Sequence, residues 1–145
     1  MKVVLDVNVL VSATIHQRGI SRQILNHIFS HKEFELVISE HILKRAIEVL
    51  NRKHIQKKYH EWVTLSQLQS FFALVRRTAF IVGVQSELKV IVDPEDNLVL
   101  ACAVDGQADY LVSGDEHITD LKEFQGIKIV KPATFLQILD EQYKR

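Results

Sequence analysis

Residues 93–118 read DPEDNLVLACAVDGQADYLVSGDEHI, and this stretch decides the fold. Asp93-Pro94-Glu95-Asp96 has the form of an N-cap, a proline at the first helical position and an acidic first turn. An apolar helix from Asn97 to Val104 follows, with Asp105-Gly106 at its end. Then comes DYLVS at 109–113, which reads as a buried strand ending at Gly114-Asp115. A helix leading straight into a buried strand is the repeating step of an α/β sheet.

The same step recurs on either side. Residues 2–7 (KVVLDV) are short, β-branched and apolar, and predict a buried strand. Residues 20–31 space Ile20, Ile24, Leu25, Ile28 and Phe29 as a helix does. A strand from Glu35 to Ile38 precedes a helix from Ser39, its cap, to about Lys53. Residues 60–77 predict a longer helix with Trp62, Leu65, Leu68, Phe72 and Leu74 near one stripe, and 79–82 a strand. A short helix near 116–122, a strand at 127–130 and a helix from Pro132 to about Tyr143 finish the chain. The alternation predicts an α/β sandwich over residues 1–145, with a central, mostly parallel sheet flanked by helices.

Composition narrows the classes. The chain has 145 residues, 47% of them hydrophobic and 25% charged, with five Gly and two Pro. Disordered, collagen-like and low-complexity classes are excluded. No apolar run reaches the roughly 18 residues of a membrane span. MKVVLDVN lacks the apolar core of a signal peptide, so the cytoplasm is the expected location. Cys102 alone builds neither a disulfide framework nor a Cys-based zinc site, and the seven histidines are read as scattered without an HxxxH or similar spacing, so a zinc enzyme is not expected. Eighteen Lys+Arg balance 18 Asp+Glu, so any contact with nucleic acid must be local rather than a broad basic coat.

In a parallel sheet the working groups lie beyond the carboxyl ends of the strands. Three aspartates fall where that rule points. Asp6 stands at the end of the first strand, Asp115 just past DYLVS, and Asp96 in the first turn of the preceding helix. Gathered together, such carboxylates raise one another's pKa unless a cation compensates them. Mg²⁺ and Mn²⁺ favour oxygen ligands and serve phosphodiester hydrolysis, so this chemistry needs no Cys or His. Each acid also has a plainer role: Asp6 and Asp115 as caps, Asp96 as a partner of the helix dipole. Asp93 is explained as a cap, Asp105 as a loop acid and Asp109 as a turn residue. Asp120, five residues after Asp115, is a candidate secondary ligand.

Four stretches resemble a PIN domain, the nuclease fold of many toxins in bacterial and archaeal toxin–antitoxin pairs. They are VVLDVNVLVSA at 3–13, FELVISEHILKRAIEVL at 34–50, residues 93–118, and GIKIVKPATFLQIL at 126–139. The resemblance implies a PIN-like three-layer sandwich and a Mg²⁺- or Mn²⁺-dependent ribonuclease. It assigns Asp6, Asp96 and Asp115 to catalysis and metal binding. Asn8, Ser12 and Ser113 match polar neighbours that support the first aspartate. An RNA substrate, an antitoxin protein and a homodimer are the implied partners, with no membrane.

One position departs from that pattern. In relatives the helix after the second strand carries a glutamate where this chain has Arg45. Glu48 lies three residues on, about 60° round an ideal helix, and is the nearest substitute ligand. Glu40 is farther round, and His41 shares the face of Arg45. Arg45 is expected to pair with one of the aspartates, to grip a substrate phosphate, or to extend into solvent. The first outcome would leave a weakened PIN-fold module that binds RNA or protein. Basic residues collect at Arg52, Lys53, Lys57 and Lys58 and at Arg76 and Arg77, with His54, His60 and Trp62 as stacking candidates. These are candidate RNA contacts, although charge runs on helices usually face solvent. A phosphoryl enzyme of another type is disfavoured, because there is no P-loop.

Overall fold

Val3, Val4 and Leu5 are all but inaccessible, and the chain enters the sheet through them as β1 (Lys2–Leu5). The computed structural model describes residues 1–60 and 64–143, so the assignment of Trp62 lies outside the described residues. Further elements are α1 (Val7–Ile15), α2 (Ile20–Ser30), β2 (Glu35–Ser39), α3 (Glu40–Leu50), α4 (Lys53–Lys58), α5 (Leu65–Thr78) and β3 (Phe80–Val82). After these come α6 (Pro94–Asp105), β4 (Tyr110–Val112), α7 (Glu116–Thr119), β5 (Glu123–Phe124), β6 (Ile127–Val130) and α8 (Pro132–Gln142).

The strands form one sheet in the order β3-β2-β1-β4-β6-β5, parallel except for the β5–β6 pair. From β1 the chain winds outward through β2 to β3, then returns to place β4 on the other side of β1. The carboxyl ends of β1 and β4 therefore flank the point where the winding reverses, the usual place for a site. Leu5 and Val112 are register partners there, and the Asp6 N–H extends the ladder to Val112 O at 2.9 Å. Helices flank this sheet, α6 lying against β1, β2 and β4. The fold class is the expected one.

Several boundaries differ from expectation, each for a physical reason. The first strand stops at Leu5, because Asp6 caps α1. That helix was unforeseen: VNVLVSATI buries Val9, Leu10, Val11, Ala13, Thr14 and Ile15 and so shows almost no polar face. The helix from Ser39 ends at Leu50, and the basic segment beyond forms the separate α4. The long helix begins at Leu65 behind a Thr64–Gln67 capping box. It buries Leu68, Phe72 and Val75, while Leu65 and Leu74, expected on the stripe, are exposed. The two-residue strand β5, also unforeseen, turns back into β6 through Gln125 and Gly126, both at positive φ.

Glycine matters most at Gly106. A Cβ there would stand 2.5 Å from Val37 Cγ1 and 2.9 Å from Cys102 O, so the end of α6 can pass β2 only without a side chain.

Candidate active site

Asp6 occupies two roles at once. Its Oδ1 accepts the Val7 N–H at 2.7 Å, capping α1, and its Oδ2 accepts the Ser113 hydroxyl at 2.7 Å. Only 6% of the residue is exposed. Burial pushes this carboxyl above its ordinary value, and nearby Asp115 adds to the rise; the bonds from Ser113 and Val7 oppose it.

Ser113 follows β4 and is fully buried. Its oxygen also accepts the Asp115 N–H at 3.0 Å, so one hydroxyl ties together the first and last acids of the site. Asp115 is the N-cap of α7, accepting the His117 N–H at 2.9 Å. Asn8 reaches the same loop, its Oδ1 accepting the Gly114 N–H at 3.4 Å.

Asp96 arrives on the first turn of α6, which Asp93 caps through the Glu95 N–H at 2.9 Å. The buried Asn97 secures that turn. Its Oδ1 accepts the Val90 and Ile91 N–H groups at 3.1 and 2.9 Å, and its Nδ2 donates to Ile91 O at 2.7 Å. Asp96 is pushed up to about 6, first by desolvation and then by the charges of Asp115, Asp93 and Asp6.

These groups share a cleft of about 440 Å³. Asp6, Asp96 and Asp115 line it, with Asn8 and Ser12 from α1, His41 and Arg45 from α3, and Arg52 beyond. Val11, Ile15, Val49 and Val99 supply apolar walls. Ser113 lies behind Asp6 rather than in the lining.

Arg45 does line the cleft, yet it pairs with none of the three aspartates among the described residues. Its Nη1 donates to Glu48 at 2.9 Å and its Nε to Glu95 at 3.1 Å. The two carboxylates hold the guanidinium above its ordinary pKa, and Arg45 draws Glu48 below its own. Glu48 is thus engaged on the rim and does not line the cleft. Asp120 is the C-cap of α7 and does not line it either.

A family profile described as the PIN domain matches residues 2–117. The chain belongs to the PIN-domain family. A search of curated proteins finds no match. Among solved structures, a chain in the crystal structure of VapBC2 from Rickettsia felis, bound to a DNA fragment from their promoter, is similar in fold. The TM-score is 0.61 at 16% identity, covering 90% of this chain and 98% of that one.

This PIN domain's donor set fits a divalent cation. Asp96, Asp115 and His117 each offer a ligand atom, and these atoms lie within 4.8 Å of one another. Desolvation and the repulsion of Asp115, Asp93 and Asp6 disfavour the charged form of Asp96, and such an ion relieves both. His117 was not foreseen; its signal is its place two residues beyond Asp115, on the same short turn.

The remaining candidates divide. Arg52 borders the cleft, and Lys53, Lys57 and Lys58 are exposed along α4, with Lys58 Nζ 5.4 Å from the Tyr59 ring. Arg76 instead makes a two-bond pair with Glu40 at 2.7 and 3.1 Å. Asp105, expected as an ordinary loop acid, pins Gln85 and Ser86, and those bonds hold its carboxyl below its usual range. Asp109 accepts the Lys2 N–H at 2.8 Å. Cys102 is buried, and desolvation pushes its thiol up to about 12. Contrary to the expectation of scattered histidines, His27 on α2 and His31, the C-cap of that helix, do have an HxxxH spacing. Their rings stack with centroids 3.9 Å apart, nearly parallel at 14°.

Proposed function

We propose that this chain is a metal-dependent endoribonuclease that hydrolyses RNA phosphodiester bonds, as the toxin of a toxin–antitoxin pair. The observation that carries the reading is the gathering of Asp6, Asp96 and Asp115 in one cleft, with two of the three carboxyls raised. Mg²⁺ or Mn²⁺ held by these aspartates supplies, when bound, Lewis acidity toward a phosphodiester.

The protein's own residues then have distinct tasks. Ser113 orients Asp6 and favours its charged form. The first turn of α7 fixes Asp115, and Asn97 fixes the start of α6 beneath Asp96. Val11, Ile15, Val49 and Val99 give the cleft apolar lining beside the acids. Arg52 at the rim and Lys53, Lys57 and Lys58 on α4 offer a local positive surface to the RNA backbone, although the net charge is zero.

The alternative, a module silenced by Arg45, needs that cation to neutralise the aspartates. Its bonds to Glu48 and Glu95 favour the nuclease reading instead. Similarity to a chain of the promoter-bound VapBC2 complex supports an antitoxin partner; a homodimer and a cytoplasmic location complete the proposal. Among the described residues no helix is long and apolar enough to cross a membrane.

The test is cleavage of single-stranded or structured RNA. The protein should cut with added Mn²⁺ or Mg²⁺, and Asp6→Asn should abolish cutting. Unchanged cleavage by that variant would sink the assigned site.

A further inference from the structure

The metal-binding reading of the cleft rests on carboxylates, but the donor atoms that lie closest together are not all oxygens. Asp96 and Asp115 converge with His117, one donor atom from each within 4.8 Å of the others. Asp6 is outside that group, and both of its oxygens already accept hydrogen bonds, one from Val7 and one from Ser113. His117 stands at the open side of the pair. Its side chain is 83% exposed, and its ring Nδ1 lies 3.3 Å from Asp115 Oδ1. The backbone supports the approach, because the His117 N–H is itself held by the Asp115 carboxylate.

We propose that His117 supplies an imidazole nitrogen to a divalent metal ion held by Asp96 and Asp115, biasing this cleft toward first-row transition ions over Mg²⁺. The reason lies in donor chemistry. Mg²⁺ favours oxygen donors and gives up its waters reluctantly, whereas imidazole is a good ligand for transition ions. Two carboxylates and one neutral imidazole also balance the ion's two charges without a further acid, and the nearest acid on α3, Glu48, is already paired with Arg45. Asp6 then acts from the buried side, through its charge and its Ser113 bond. The inference rests on the metal-binding reading above and refines its ligand set, with His117 in place of Asp6 as the third ligand, and names the class of ion.

The experiment uses Mn²⁺ as the probe on the whole chain. Pulsed electron paramagnetic resonance of the Mn²⁺-loaded protein should show coupling to a ¹⁴N nucleus, and His117→Ala should lose it. Calorimetry should show that His117→Ala weakens Mn²⁺ binding about tenfold or more, with Mg²⁺ binding little changed. His117→Asp should restore binding without the nitrogen signal and bring the Mn²⁺ and Mg²⁺ affinities closer together. Because His117 is exposed, its variants should keep the native circular dichroism. If Mn²⁺ binds without nitrogen coupling and Asp96→Asn abolishes that binding, the role of His117 falls while the nuclease site stands. If Mn²⁺ does not bind the protein at all, both fall.

Discussion

The hydroxyl of Ser113 donates to Asp6 Oδ2 at 2.7 Å, in the buried space between the ends of β1 and β4. The same oxygen accepts the Asp115 N–H. Register brings the two together: Leu5 pairs with Val112, so the next residue of each strand meets the other across the sheet end.

Ser113→Ala should therefore raise the Asp6 carboxyl further, since a bond that favours its ionised form is lost. Charge-assisted hydrogen bonds of this kind contribute about 1.5–3 kcal/mol. Urea denaturation at neutral pH should show a loss in that range, and calorimetry a weaker Mn²⁺ interaction. Unaltered stability and metal affinity would mean that Ser113 is only filling space.

The raised acids set a pH dependence for the metal-free protein. A carboxyl whose folded pKa exceeds its unfolded value holds its proton more tightly when folded. Its contribution is complete below the unfolded value of 3.8 and is lost as pH rises through about 6 for Asp96. Asp96→Asn should thus gain stability at pH 7 and show a flatter profile between those limits. A shift of this size, unscreened, corresponds to about 3 kcal/mol; partial exposure reduces the expected gain to about 1 kcal/mol. Thermal melts across pH check it, and a destabilised variant at pH 7 would contradict it.

Arg45 should modulate the site rather than close it. Arg45→Ala removes a cation from the rim and frees Glu48 and Glu95, so the cleft becomes more negative. Mn²⁺ should bind more tightly, RNA cleavage should persist, and stability should change little, because exposed pairs contribute little. Arg45→Glu, which replaces the cation with an acid, should tighten Mn²⁺ further. An inert native protein that becomes active only as Arg45→Glu would instead favour the silenced module.

Asn97→Ala should loosen the start of α6. It leaves the Val90 and Ile91 N–H groups without their acceptor and frees the segment ahead of Asp93. Lost buried hydrogen bonds of this kind cost about 1–3 kcal/mol, which urea denaturation would register. Metal affinity should fall with it, since Asp96 is the adjacent residue.

Much of this was legible in the chain because its punctuation is local. Asp93-Pro94 announces α6, and short β-branched runs announce β1, β2 and β6. The parallel-sheet rule then brings Asp6, Asp96 and Asp115 to one edge. α1 was hidden because VNVLVSATI is apolar almost all round, so periodicity had no contrast to report. The partners of Arg45 were hidden for a different reason. Glu48 is its neighbour on α3, but Glu95 lies fifty positions away and meets it only after the sheet has assembled. GDEH places His117 two residues past Asp115, but its meeting with Asp96 depends on where α6 brings that residue.

The most direct measurement is a calorimetric titration of Mn²⁺ into the metal-free protein and its Asp96→Asn and Asp115→Asn variants. Saturable binding by the native chain, lost in both variants while their folds persist, is the predicted result. Equal heats from all three proteins, or no binding by the native chain, would contradict a metal centre built on these aspartates.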